Sequence, residues 1–299
     1  MKILDFLFAA RPMLLLPVWS IYLVSFNSLS GGLNLKRSSL IVLASLTLMT
    51  AGVYFINQIF DYESDLKNGK LGFLQKGLIR RSQMMAAYLS VTALAWVLIF
   101  MQSFFSSAII ILATILGLAY SVPPIKLKDR PISGLLANSL GYGVLVPLLV
   151  MDQFADRTNL MLYLPAYFFS AIAAGYMLTI IPDRPGDLLA EKKTLAIHFP
   201  NRILIVEGIV FLTLSALFAL MLKNGFLLGI SIIAVTLYIM ALIAPKKEII
   251  LFACKFPIFL LTLLAGYYFP VYLVFIIALL ILTRIYYHKR FKMTYPRLN

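Results

Sequence analysis

The sequence predicts an all-α fold: a polytopic bundle of nine to ten transmembrane helices, forming a single domain over residues 1–299. Three observations carry that expectation. The chain is 62% apolar and 13% charged, where ordinary soluble domains are about half apolar and a quarter charged. At roughly 20 residues per span, so much apolar material supplies nine or ten membrane helices. The apolar residues run in long stretches separated by short clusters of charge, Gly and Pro. The 26 Lys and Arg, finally, fall almost wholly at one end of the bundle so defined.

The first ten residues are interrupted by Asp5 and followed by Arg11-Pro12, so they do not read as a cleavable signal and are expected as a short amphipathic lead-in at the membrane surface. Ten apolar segments follow, at about 12–30, 38–60, 82–102, 104–120, 133–151, 160–182, 202–222, 225–244, 249–268 and 270–287. Arg11-Pro12 opens the first, and Lys36-Arg37 separates it from the second. The double proline Pro123-Pro124 stops the fourth. Lys223-Asn224-Gly225 and Tyr268-Phe269-Pro270 are turns of a few residues, which makes the segments they join antiparallel hairpins.

Only Lys36, Arg37, Arg157 and Lys223 fall on the side opposite the N-terminus, and Lys255 falls inside a segment. Basic residues concentrate in cytoplasmic loops, which places both termini and the long loops in the cytoplasm and favours an even number of spans. Basic residues spread over connectors exclude a nucleic-acid face despite the net charge of +14. One cysteine, Cys254, excludes an intrachain disulfide.

Six of the twelve acidic residues lie in two of the expected cytoplasmic loops. In the run from Asn57 to Asp65, Asn57, Asp61 and Asp65 are spaced i, i+4, i+8. On a continuing helix they stack on one face, about 6 Å apart per step. Asp183 and Asp187 repeat the i, i+4 spacing at the end of the sixth segment. Facing carboxylates repel unless a cation lies between them. Oxygen donors without His or Cys favour Mg²⁺, which is commonly held by a few carboxylates together with substrate phosphates. Two such pairs among basic neighbours suit a diphosphate clamp, and departure of a diphosphate from a lipid is the chemistry that suits the clamp. In the Tyr120–Lys128 run, Pro123-Pro124 holds the following bases in an extended strand, so that Lys126 or Lys128 reaches the diphosphate while Tyr120 lines the reaction chamber.

These three motifs, with Lys193-Thr194-Leu195-Ala196 and Arg11-Pro12, resemble in order the UbiA superfamily of intramembrane prenyltransferases from about residue 11 to residue 200. The resemblance implies a helical bundle with a membrane-embedded active-site chamber. It also implies that Asn57, Asp61, Asp65, Asp183 and Asp187 bind Mg²⁺ and an isoprenyl diphosphate, while Tyr120, Ser121 and Lys126 meet the substrate. The prenyl chain would lie in an apolar tunnel, and ionisation of its allylic C–O bond would give a carbocation attacked by an aromatic or lipid-like acceptor. Lys67, Lys70, Arg184 and Lys193 are further candidates for binding the diphosphate. The chain departs from the family pattern at Gly72-Phe73, where many members carry Arg-Pro, at Gln58 in place of Asp, and at Glu191 where Gly is frequent.

Among the many aromatic residues, Tyr54 and Phe55 join Tyr120 as candidates for the chamber because they adjoin the motifs. Glu207 and Lys255 are expected to snorkel to the interface, with a mutual ion pair as the alternative. Gly225-x-x-x-Gly229 is expected to allow close helix packing. His198 and His288 lack a partner pattern and are not proposed as bases. Two rival functions are a CDP-alcohol phosphatidyltransferase, whose compact Asp-rich signature is absent, and a transporter or scaffold, which would place ionisable groups near mid-membrane.

Overall fold

The computed structural model describes residues 2–32, 34–67, 72–154 and 160–296; the side chains of Lys2, Lys67, Leu160 and Met161 fall outside that description. Among the described residues ten helices are long and apolar enough to cross a membrane. They are α1 (Leu16–Ser30, the main helix of the apolar stretch Ile3–Ser30), α2 (Arg37–Phe60), α3 (Arg81–Phe100), α4 (Phe104–Ser121), α5 (Pro131–Met151), α6 (Leu160–Thr179), α7 (Asn201–Met221), α8 (Gly225–Ile243), α9 (Lys247–Tyr268) and α10 (Pro270–Phe291). The chain is therefore an integral, multi-pass membrane protein.

α1 is the central helix, buried continuously from Val18 to Phe26. Around it Leu46 of α2, Ile110 of α4, Leu149 of α5 and Phe168 of α6 form the main core. A second cluster joins α6 to α7, α8 and α9 through Leu178, Ile205, Tyr238 and Ala253. The outer faces carry exposed Leu94, Val97, Ile232, Ile281 and Leu282. An apolar exterior of this kind faces lipid, where every backbone polar group must be satisfied within its own helix.

α5 is not a uniform helix. Pro147 has no N–H to give to the carbonyl of Gly143, and its ring crowds that turn. The stretch Ser139–Leu145 just before it is accordingly wound as a π-helix. Gly143 allows α6 to pass close by, since a Cβ there would sit 2.5 Å from the Phe169 backbone.

Three expectations need correction or decision. The lead-in helix Lys2–Ala9 is docked against α10 and is not a lone amphipathic surface segment. Asp5 is 1% exposed and accepts hydrogen bonds from Tyr286 and Arg290, because a carboxylate in an apolar setting needs such partners. Gly225 and Gly229 face open space, so close packing falls instead to Gly117, Gly143 and Gly208. Glu207 and Lys255 are both exposed, and no ion pair joins them among the described residues, which favours snorkelling.

Candidate functional site

The ladder of Asn57, Asp61 and Asp65 forms as its spacing predicts. α2 ends at Phe60, yet the Asp61 N–H still donates to the Asn57 carbonyl at 2.9 Å, and the Asp65 N–H donates to the Asp61 carbonyl at 2.8 Å. The short helix Tyr62–Lys67 thus continues the turn, and all three side chains line one polar chamber.

The second pair is built differently. α6 stops at Thr179, a turn crosses Pro182, and Asp183 stands at the N-cap of the short helix Arg184–Leu189, which contains Asp187. The Asp187 N–H donates to the Asp183 carbonyl at 2.9 Å. That helix ends with Glu191 in the left-handed region at φ 52°, while the Lys192 N–H returns to the Asp187 carbonyl at 3.0 Å. This is a Schellman turn, and it explains why Gly is common in the family at the position Glu191 holds. The turn brings the Lys192 ammonium to 3.2 Å from the Asp187 carboxylate, which also accepts from the Thr194 hydroxyl at 3.1 Å.

Between the two pairs lies the loop after α4. The Lys128 ammonium donates to Asn57 Oδ1 at 2.7 Å and is paired with Asp61. Burial pushes the Lys128 pKa below its ordinary value, with the Asp61 charge pulling the other way. Burial also disfavours the charge on Lys192, but Asp187, Asp61 and Asp129 together outweigh it and raise that pKa. Asp129 lies 2.8 Å from the Lys126 ammonium and 3.9 Å from that of Lys192, so it ties the loop to the second motif.

The chamber, of about 280 Å³, adjoins an apolar cavity of about 220 Å³, and the two share Arg11, Asn57, Tyr120 and Asn138. The apolar cavity runs between α1, α2, α4 and α5, past Val18, Leu46, Met49, Ala113 and Leu116. At the boundary the Asn138 carboxamide, just before the π stretch of α5, donates to the Tyr120 hydroxyl at 3.0 Å. Deeper in, Tyr54 and Tyr142 are hydrogen-bonded at 3.1 Å.

Asn57, Asp61, Asp65, Asp183, Asp187 and Tyr120 are therefore brought together around one chamber. Other candidates are not. Lys126 has a left-handed backbone at φ 42° that turns its ammonium to Asp129, and it lies off the chamber wall. Arg184 donates to the Phe199 carbonyl, Lys193 is exposed, and Ser121 is fully buried away from the chamber. Phe55 packs in a further core cluster with Phe8, Met84 and Tyr286, whereas Tyr54 does line the apolar cavity. Lys70 and the side chain of Lys67 lie outside the described residues. Among the chamber residues that were not singled out from the sequence as site residues are Arg11, Asp129, Asn138, Tyr176 and Lys192. Asp129 had a signal, as a single acid directly after a basic motif; Asn138 and Tyr176 sit within apolar segments and had none.

The donor set fits Mg²⁺. Four carboxylates and one carboxamide of the two motifs face the chamber without any His or Cys. Among the described residues no three acidic, His or Cys side chains converge on one point. Mg²⁺ is commonly held by one or two carboxylates together with phosphate oxygens.

The UbiA prenyltransferase family model matches residues 14–248 of the chain. A lycopene elongase/hydratase from Corynebacterium glutamicum is 25% identical over 189 residues, which are 60% of this chain. The chain spans 65% of the length of the curated relatives it matches. Among solved structures, a UbiA homolog from Archaeoglobus fulgidus bound to GPP and Mg²⁺ superposes with a TM-score of 0.69 at 17% identity, over 88% of this chain and 99% of that one. A digeranylgeranylglyceryl phosphate synthase gives 0.68 at 18% identity, over 88% and 96%. At such identities the likeness is one of fold.

Proposed function

The chain belongs to the UbiA prenyltransferase family, and from that premise we propose that it transfers an isoprenyl group from an isoprenyl diphosphate to an acceptor within the membrane, releasing diphosphate. One observation carries the reading: a polar, acid-rich and basic chamber adjoins an apolar cavity, with Arg11, Asn57, Tyr120 and Asn138 lining both. A substrate with a charged head and a hydrocarbon tail has that same division. The GPP- and Mg²⁺-bound homolog and the lycopene elongase/hydratase support the assignment, and the latter favours a lipid-like acceptor over an aromatic one.

Asn57, Asp61, Asp65, Asp183 and Asp187 are the oxygen donors that would hold Mg²⁺, which when bound supplies neutralisation of charge on the departing diphosphate. Lys128, Lys192 and Arg11 bind the phosphate oxygens and stabilise the negative charge that grows as the allylic C–O bond breaks. The bonding pair leaves with the diphosphate. The tail, held between Leu46, Met49 and Leu116, keeps water away from the carbocation, and the ring faces of Tyr54, Tyr120 and Tyr142 stabilise it. The acceptor then forms a bond to the cationic carbon and loses a proton. The concentration of basic residues in the loops at that end supports a chamber facing the cytoplasm.

Purified protein incubated with Mg²⁺, labelled farnesyl or geranylgeranyl diphosphate and membrane lipid extract should yield a labelled product identifiable by mass spectrometry. Asp61→Asn and Asp187→Asn should each lower turnover by about 10²-fold or more, the scale set by losing one group that stabilises developing charge. Chelating Mg²⁺ should abolish turnover. Wild-type rates in either variant would sink the assignment. A transporter or scaffold would bind no prenyl diphosphate in a Mg²⁺-dependent way.

A further inference from the structure

Arg11 enters the chamber from a backbone that an L-residue adopts unwillingly. Its φ and ψ are 53° and 56°, in the left-handed region. Its side chain lines both cavities, and no carboxylate among the described residues pairs with its guanidinium. A conformation of this kind persists only where its surroundings over-determine it.

Those surroundings are specific. The Gln58 carboxamide donates to the Ala9 carbonyl at 2.8 Å on one side of Arg11, and the Tyr54 hydroxyl donates to the Leu14 carbonyl at 2.8 Å on the other. The remaining supports come from α10. Asp5 accepts from the Tyr286 hydroxyl at 2.6 Å and from Arg290 at 3.1 Å and 2.8 Å. Phe8 lies flat against Tyr286 with ring centres 3.9 Å apart. Phe73 joins the same stack, 6.4 Å from Tyr286 and edge-on to Phe291 at 5.6 Å. Just past α10, burial raises the Tyr295 pKa and the Arg11 charge opposes that rise, so this segment lies in the field of Arg11.

Gln58 and Phe73 are two of the positions at which the chain departs from the family pattern. An Asp at position 58 would set a carboxylate against the Ala9 carbonyl instead of donating to it. An Arg-Pro at residues 72 and 73 would remove the ring from the stack. The first departure therefore ties the lead-in to α2, and the second packs against the α10 rings that hold it. Neither Arg11 nor α10 falls within the residues matched by the family model, and α10 contributes no wall to the chamber.

We propose that α10 acts as a clasp: through Asp5 and Phe8 it holds the lead-in so that the Arg11 guanidinium stands at the junction of chamber and apolar cavity, placed to bind the diphosphate of the substrate. Arg11 touches the substrate. Asp5, Tyr286 and Arg290 are positioning residues that act through it. The clasp rests on the diphosphate reading of the chamber.

The test is a cycle of variants of the full chain in lipid nanodiscs, titrated with inorganic diphosphate in the presence of Mg²⁺ by calorimetry, alongside the KM for the isoprenyl diphosphate. Arg11→Ala should weaken diphosphate binding by about tenfold or more, as expected for losing a charge-assisted contact. Asp5→Asn and Arg290→Gln should each weaken it several-fold and raise KM more than they lower kcat. In the Arg11→Ala background, Asp5→Asn should weaken binding no further, because residues acting through one group are not additive. A mere staple between the chain ends would lower thermal stability equally in both backgrounds and leave the dissociation constant alone. If Asp5→Asn does not fold, Tyr286→Phe, which deletes one hydroxyl, carries the same comparison. Unchanged binding in the clasp variants, or losses that add to that of Arg11→Ala, would overturn the clasp and leave the diphosphate reading standing. Failure of the wild-type protein to bind diphosphate would overturn the reading, and the clasp with it.

Discussion

At the scale of single residues, Lys128 has the most to explain. Its ammonium sits between Asn57 Oδ1 and Asp61, the oxygens that Mg²⁺ would need. A protein cation therefore neutralises charge on the first acidic ladder. Replacing it by Met keeps the apolar stem and removes the charge, leaving Asp61 part-buried and unpaired. Breaking a buried pair costs about 3–5 kcal/mol; Asp61 keeps 16% of its side-chain surface exposed, so the expected loss is at the lower end. Lys128→Met should unfold at lower temperature than wild type, and added Mg²⁺ should raise its melting temperature more than it raises that of wild type. Equal Mg²⁺ effects on the two proteins would show that ammonium and metal do not compete. The sequence put both Lys126 and Lys128 within reach, and the family resemblance singled out Lys126, whereas the structure sets Lys128 on the chamber wall. The backbone separates them: the left-handed turn at Lys126 directs that side chain to Asp129, while Lys128 falls in the tight turn Leu127–Asp129 that faces the ladder.

At the scale of the element, α5 and α6 are held close by Gly143. A methyl there would meet the Phe169 backbone, which cannot move aside as a flexible side chain can. Gly143→Ala should therefore destabilise the bundle by about 1–3 kcal/mol. Gly229→Ala, in a helix where the same methyl meets nothing, should be neutral or stabilising by up to about 1 kcal/mol. Thermal unfolding of the two variants in one detergent checks the contrast, and equal losses would refute it. All ten spans were legible because uninterrupted apolar runs of membrane length have few other outcomes. The acidic ladders were legible because i, i+4 spacing survives the break after Phe60 and the turn after Thr179. The π stretch, the docking of Lys2–Ala9 on α10 and the place of Asn138 were not, since each depends on contacts between segments far apart in the chain. The Gly225 and Gly229 motif misled for the same reason: spacing gives a groove, but only tertiary packing says whether a neighbour fills it.

At the scale of the whole molecule, the charge asymmetry and the cavity pose one question, which is the side from which the diphosphate arrives. A polyanionic head cannot cross the hydrocarbon layer without a large desolvation cost, so the chamber must open on the side where the substrate is made. Asn57, Asp61, Lys128 and Asp187 all meet at one end of the bundle, the end that carries the basic loops around Lys76, Lys126 and Lys246. Lys223, in the turn between α7 and α8, belongs to the opposite end. The native cysteine, Cys254, is buried and gives little background in thiol labelling. Lys76 and Lys223 are both exposed, so a cysteine at either position is accessible from its own side. With a membrane-impermeant maleimide applied to intact cells, Lys223→Cys should label at once, whereas Lys76→Cys should label only after the membrane is opened. The reverse pattern would put the chamber on the outer face, where the positive-inside bias would have failed and the substrate would have to be supplied from outside the cell.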